Sequence, residues 1–139
     1  MRYFKILIIF FCSVLAHANN TLIITLVNNS GFDLELDYID PAYPANNISI
    51  NKNIIKSQDS GIITCETTTG YDILANIFFK NNMRMKIRDN RQFHMGQPEF
   101  KVFGSQILSE LKSKTRNPVT GPRYIMYIEA EVIVRNNLF

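Results

Sequence analysis

The sequence predicts an all-β protein: an antiparallel β-sandwich of about seven or eight strands with one short helix near residues 105–115. Three observations point there. Apolar and charged side chains alternate strictly in Phe32-Asp33-Leu34-Glu35-Leu36-Asp37-Tyr38 and again in Met83-Arg84-Met85-Lys86-Ile87-Arg88, the period-two signature of strands with one face in a core. Turn-forming clusters (Asn28-Asn29-Ser30-Gly31, Thr68-Thr69-Gly70, Asn81-Asn82) separate the apolar runs, at the spacing of an antiparallel sandwich. The long segment Arg123 to Arg135 sets Tyr124, Met126, Ile128, Ala130, Val132 and Val134 on one side, with Glu129 and Glu131 on the other.

The first eighteen residues read as a leader. Arg2 and Lys5 form a short positive region, and Ile6 to Leu15 is an apolar run broken only by Ser13, too short to span a bilayer. Ala16-His17-Ala18 offers small side chains where a signal peptidase needs them, which places cleavage after Ala18 and predicts a secreted or periplasmic protein. Removing 18 of the 139 residues leaves 121, read as a single domain over 19–139. Basic residues fall from 15 to 13 against 12 acidic ones, so the net charge drops from +3 to about +1. That balance exerts no general pull on nucleic acid. Cys12 leaves with the leader, so Cys65 is the one remaining thiol. No intrachain disulfide is then available, and stability must come from an apolar core. Cys65 lies in the strand-like run Ile62 to Cys65 and is expected to be buried.

Along the processed chain, Thr21 to Val27 and Phe32 to Tyr38 flank the Asn-Ser-Gly turn and suggest a β-hairpin, with Leu22, Ile24 and Leu26 facing inward. Asp40 to Asn53 reads as a loop, since Pro41 and Pro44 lack backbone donors and four asparagines favour turns. Ile48 to Ile50 suits a brief edge strand. Gly61 to Thr67 and Tyr71 to Phe79 suggest a second hairpin around Thr68-Thr69-Gly70, and Asn81-Asn82 turns the chain into Met83 to Arg88. Phe100 and Val102 mark another short strand. The helix is expected from Ser105 as its cap, from Ile107, Leu108 and Leu111 on one face, and from Lys112 and Lys114 near its end. It must stop before Asn117-Pro118.

No cofactor or metal motif stands in the chain. With His17 gone, His94 is the one histidine left; paired with Cys65 it has no ligand spacing for zinc, and no G-x-S-x-G nucleophile motif occurs. The acidic series Asp33, Glu35 and Asp37 reads as a solvated strand face, because an extended strand splays carboxylates along a line that calcium cannot gather. Two features suit binding. Arg84, Lys86 and Arg88, with Arg91 just beyond, make a cationic stripe fit for an acidic partner, a glycan sulfate or anionic lipid, or for pairing with an acidic neighbouring strand. No aromatic residue interleaves with these cations in the sequence, which argues against a single-stranded nucleic-acid platform. Tyr43, held between Pro41 and Pro44, would present a ring from a loop.

The segment Ile24-Thr25-Leu26-Val27-Asn28-Asn29-Ser30-Gly31-Phe32 resembles the first hairpin of the aegerolysin-like small β-sandwich cytolysins, which implies lipid binding. Three function classes follow. The leading one is an exported, non-enzymatic binding domain for a protein or surface ligand. A membrane-active β-sandwich is the second, and a hydrolase whose site is scattered along the sequence is the third.

Overall fold

The computed structural model describes residues 19–41, 46–68, 73–89, 99–116 and 127–137. The expected leader with its expected cleavage point after Ala18, and Tyr43, Arg91 and His94, lie outside the described residues. Every regular element described is a strand: β1 (Asn19–Asn29), β2 (Leu34–Pro41), β3 (Asn46–Ile50), β4 (Ile54–Ile55), β5 (Asp59–Thr68), β6 (Ile73–Phe79), β7 (Met83–Asp89), β8 (Glu99–Phe103), β9 (Ile107–Arg116) and β10 (Tyr127–Asn136). They form two five-stranded sheets packed as a sandwich, sheet I in the order β3-β5-β1-β10-β9 and sheet II in the order β4-β2-β6-β7-β8. The all-β sandwich is therefore as the sequence predicts, with β4 and the unexpected strand β9 raising the count to ten.

The core follows from period-two burial. In β1, Leu22, Ile24 and Leu26 are wholly buried, and each faces an inward residue of its neighbours: Leu22 lies between Cys65 and Ile128, and Ile24 between Ile63 and Ala130. Sheet II answers with Leu34 of β2, Ile73, Ala75, Ile77 and Phe79 of β6, Met83, Met85 and Ile87 of β7, and Phe100 and Val102 of β8, all buried. Cys65 is 1% exposed, a buried free thiol. Burying one such aliphatic side chain contributes about 1.5–3 kcal/mol. At Gly61 a side chain would collide with this packing, since an added Cβ would stand 2.6 Å from Ile55 Cδ1.

Several local expectations give way to tertiary constraints. The expected first hairpin is a crossover: β1 lies in sheet I and β2 in sheet II. Asn28, fully buried, explains the change of layer. Its Nδ2 donates to the carbonyls of Phe32 (2.6 Å) and Ile55 (2.9 Å), and its Oδ1 accepts from the Ser30 amide (3.1 Å) and hydroxyl (2.6 Å). The Ser30 hydroxyl accepts in turn from the Phe32 amide at 3.1 Å, and Gly31 takes φ +83°, a conformation that glycine tolerates best. The side chain thus replaces ladder bonds the turning backbone has lost. The expected second hairpin is likewise absent, because β5 pairs with β1 and β3 while β6 pairs with β2 and β7. Among the described connections, only β6–β7 is a tight hairpin, a three-residue loop in which Asn81 and Asn82 take φ 63° and 59°, left-handed positions that asparagine tolerates.

Sheet I is mixed, not purely antiparallel. β1 and β10 run parallel, Thr21 to Asn29 against Tyr127 to Arg135. The chain between them supplies the long crossover that a parallel pair needs. The helix expected near residues 105–115 is strand β9, antiparallel to β10. Of its three apolar residues only Ile107 is buried; Leu108 and Leu111 are 59% and 38% exposed. A helical face would have nothing to cover there, whereas an extended strand completes the ladder of β10. A bulge at Lys112 shifts its register. The Ser109 hydroxyl accepts from Val102 N at 2.9 Å and reaches Val102 O at 3.3 Å, which stitches β9 to the edge of sheet II. In β2 the alternation breaks at Asp37, where the register passes from Leu36–Phe79 to Tyr38–Phe78. Leu34 is buried, but Tyr38 turns outward and is 53% exposed.

Replacing Asn28 by Ala leaves the Ile55 carbonyl and the Ser30 amide without their side-chain partner and the Phe32 carbonyl with the Ser30 hydroxyl alone, at an expected cost of about 3 kcal/mol. Ile62→Ala, on the outer face of sheet I at 42% exposure, is expected to change stability by less than about 0.5 kcal/mol. Urea unfolding of the 19–139 chain checks the pair, and equal losses would contradict the crossover's role.

Candidate functional site

The outer face of sheet II is set by what its strands bury. With Ile73, Ala75, Ile77 and Phe79 inward, β6 presents Leu74, Asn76 and Phe78 outward; with Phe100 and Val102 inward, β8 presents Glu99, Lys101 and Phe103. β7 presents Arg84, Lys86 and Arg88 between them. The bulge at Asp37 adds Tyr38 and Asp40 from β2. Register then composes rows across the face. One reads Tyr38–Phe78–Arg84–Phe103, and the next reads Asp40–Asn76–Lys86–Lys101.

The first row is tightly organised. Tyr38 and Phe78 stack with centroids 4.4 Å apart and planes 14° from parallel. Arg84 Cζ and Lys101 Nζ stand 5.3 Å and 5.2 Å from the Phe103 ring centre, within cation–π range. A shallow cleft of about 660 Å³ runs along this row, lined among others by Asp37, Tyr38, Phe78, Asn82, Arg84 and Phe103. A second hollow, about 330 Å³ and lined by Phe32, Ser105 and Gln106, shares Asn81 with it.

The cations of this face are treated unlike those elsewhere. Lys52 meets Asp59 at 2.9 Å, Lys80 meets Glu35 at 3.1 Å, Lys112 meets Glu131 at 3.9 Å and Arg135 meets Glu110 at 3.7 Å. The Lys52 hydrogen bond, helped by the Ser60 amide, holds the Asp59 carboxyl below the usual range. On the outer face of sheet II, Lys86 reaches Glu99 at 3.5 Å, but Arg84, Arg88 and Lys101 have no carboxylate partner among the described residues. Lys86 and Lys101 also stand directly opposite each other across β7 and β8, an arrangement that costs stability.

The other outer face is different. There β1 and β10 present Ile23, Thr25, Glu129 and Glu131, with Ser113 and Thr115 of β9, around a hollow of about 280 Å³. Tyr127 donates to Glu129 at 2.9 Å, and that bond, with some burial and the Glu129 charge, raises its pKa. Sheet I is acidic outside, while sheet II is cationic. Among the described residues, no three of His, Cys, Asp and Glu are grouped to hold a metal ion.

Of the binding residues named from sequence, Arg84, Lys86 and Arg88 fall together on the outer face of β7, whereas Tyr43 and Arg91 lie outside the described residues. The acidic strand does not flank the stripe. β6 brings no acid to it and β8 brings one. Sequence reading missed Tyr38, Phe78, Lys101 and Phe103, so its premise that no aromatic interleaves with the cations does not hold in space. The alternation of β6 and β8 already implied that Phe78 and Phe103 face outward; the bulge that frees Tyr38 has no such signal. No family model matches the chain, and no curated protein matches it either.

Lys101→Gln is expected to stabilise the fold by about 0.5 kcal/mol, by relieving repulsion from the facing Lys86. Thermal unfolding at low and high salt checks this, with the gain shrinking as salt screens the pair. A loss above about 1 kcal/mol would show that Lys101 supports the fold instead.

Proposed function

We propose that the protein is an exported, non-enzymatic binding domain that recognises an acidic ligand on the outer face of sheet II. One observation carries the reading: Arg84, Arg88 and Lys101 crowd one face and form no ion pair among the described residues, two of them packed on Phe103, while Glu99, the acid that stands opposite Arg88, is drawn to Lys86. Surface cations left in mutual repulsion weaken a fold, and an anionic ligand would relieve that penalty on binding. The leader supports export, since its charged start, apolar run and Ala16-His17-Ala18 end have the form of a signal peptide. The site itself is an open cleft along a sheet, a geometry suited to a ligand that lies across strands.

A sulfated polyanion column tests the face. The triple variant Arg84→Ala, Arg88→Ala, Lys101→Ala is expected to elute from heparin at clearly lower salt than the parent, with affinity down about tenfold or 1.4 kcal/mol. A control triple, Lys52→Ala, Lys112→Ala, Arg135→Ala, removes equal charge from positions that are already paired and is expected to elute near the parent. Equal shifts for both triples would mean that net charge, not this face, governs binding.

A further inference from the structure

Resting on that reading, we infer that the ligand is a carboxylate-bearing polysaccharide, its chain laid across β2, β6, β7 and β8. The row Tyr38–Phe78–Arg84–Phe103 crosses four strands, roughly 14 Å at the usual strand spacing, and its chemistry changes along the way. At the β2 end Tyr38 is half exposed and backed by Phe78, with Asp37 and Asn82 in the same cleft. A ring with an apolar C–H face suits the tyrosine, and hydroxyl groups around that ring suit the carboxylate and amide beside it. At the far end Arg84 packs over Phe103. Packing against a ring fixes the guanidinium and leaves its in-plane N–H donors free, an arrangement matched to the two oxygens of a carboxylate. A saccharide chain with acidic units meets both ends at once.

The same row disfavours other polyanions. A nucleic acid carries a phosphate at every step, which would set negative charge against Asp37 and Asp40 at the β2 end, both exposed. A bilayer needs apolar surface to bury, and the described part of this face provides two large exposed hydrophobic residues, Tyr38 and the edge-strand residue Ile54, against the four cations of β7 and β8. An acidic peptide satisfies Arg84 but brings no sugar-like ring to Tyr38.

Biolayer interferometry with the 19–139 chain separates these ligands. The probes are polygalacturonate, alginate and hyaluronan, fully methyl-esterified polygalacturonate, poly-glutamate, oligodeoxythymidylate and phosphatidylglycerol vesicles. The expected result is tightest binding to at least one carboxylated polysaccharide, with poly-glutamate, oligodeoxythymidylate and the vesicles at least tenfold weaker. If polygalacturonate is that ligand, its methyl ester is at least tenfold weaker too. Tyr38→Ala is expected to lower glycan binding to the poly-glutamate level without changing poly-glutamate binding, while Tyr38→Phe retains the glycan. Should poly-glutamate, oligodeoxythymidylate or vesicles bind as tightly as every glycan, and still depend on Arg84, Arg88 and Lys101, the glycan inference falls and the acidic-ligand face stands. Tyr38→Ala binding the glycan like the parent overturns the inference in the same way. No binding to any of these polyanions overturns both.

Discussion

The sandwich depends on carrying its backbone from one sheet to the other without stranding buried hydrogen-bonding groups, and Asn28 meets that constraint. Its amide uses both donor hydrogens and its oxygen both acceptor positions, on Phe32, Ile55 and Ser30, while the side chain is fully buried. Few side chains offer two donors and two acceptors on so short a stem. With the crossover fixed, β1 stays between β5 and β10 in the middle of sheet I, and β2 is delivered to sheet II beside β6. The Ser109 hydroxyl, bound to both backbone groups of Val102, joins the sheets again at the β8–β9 corner. These two polar ties bracket a largely aliphatic core in which Cys65, the cysteine among the described residues, is a free thiol.

From that arrangement the outer faces follow by simple alternation, and they differ in sign. The face of β1 and β10 carries Glu129 and Glu131 with hydroxyl side chains. That of β6, β7 and β8 carries Arg84, Lys86, Arg88 and Lys101 around three aromatic rings, counting Tyr38 from β2. Cross-strand pairing favours acids opposite cations, and Glu99 fills that role for Arg88 and Lys86 only. Leaving Lys101 facing Lys86 is a local cost without a structural return, the kind of conflict that marks a surface shaped by something it binds.

Legibility divided along the range of the interactions. The inward sets Leu22-Ile24-Leu26, Met83-Met85-Ile87 and Ile128 to Val134 were plain in the sequence, because period two is a property of the strand itself. The pairing of those strands was not. Asn28-Asn29-Ser30-Gly31 has the composition of a hairpin turn, and nothing local reveals that Ile55 waits to accept the Asn28 amide. Residues 107–115 carry helix-compatible spacing, yet β10 offers an open ladder that a strand satisfies and a helix does not. The cationic half of the candidate site, Arg84 to Arg88, was legible for the same reason as the core. Its aromatic half needed pairings as well as alternation: Phe78 joins through the β6–β7 hairpin register, Phe103 through the pairing of β7 with β8, and Tyr38 through the bulge at Asp37.

The central claim, that the outer face of sheet II is the binding surface, is tested most directly by amide chemical-shift mapping. A ¹⁵N-labelled 19–139 chain titrated with a short oligogalacturonate is expected to show its largest shifts at Tyr38, Phe78, Arg84, Lys101 and Phe103, with β1 and β10 nearly still. Shifts centred instead on Thr25, Glu129 and Glu131, or spread evenly over both faces, would contradict it.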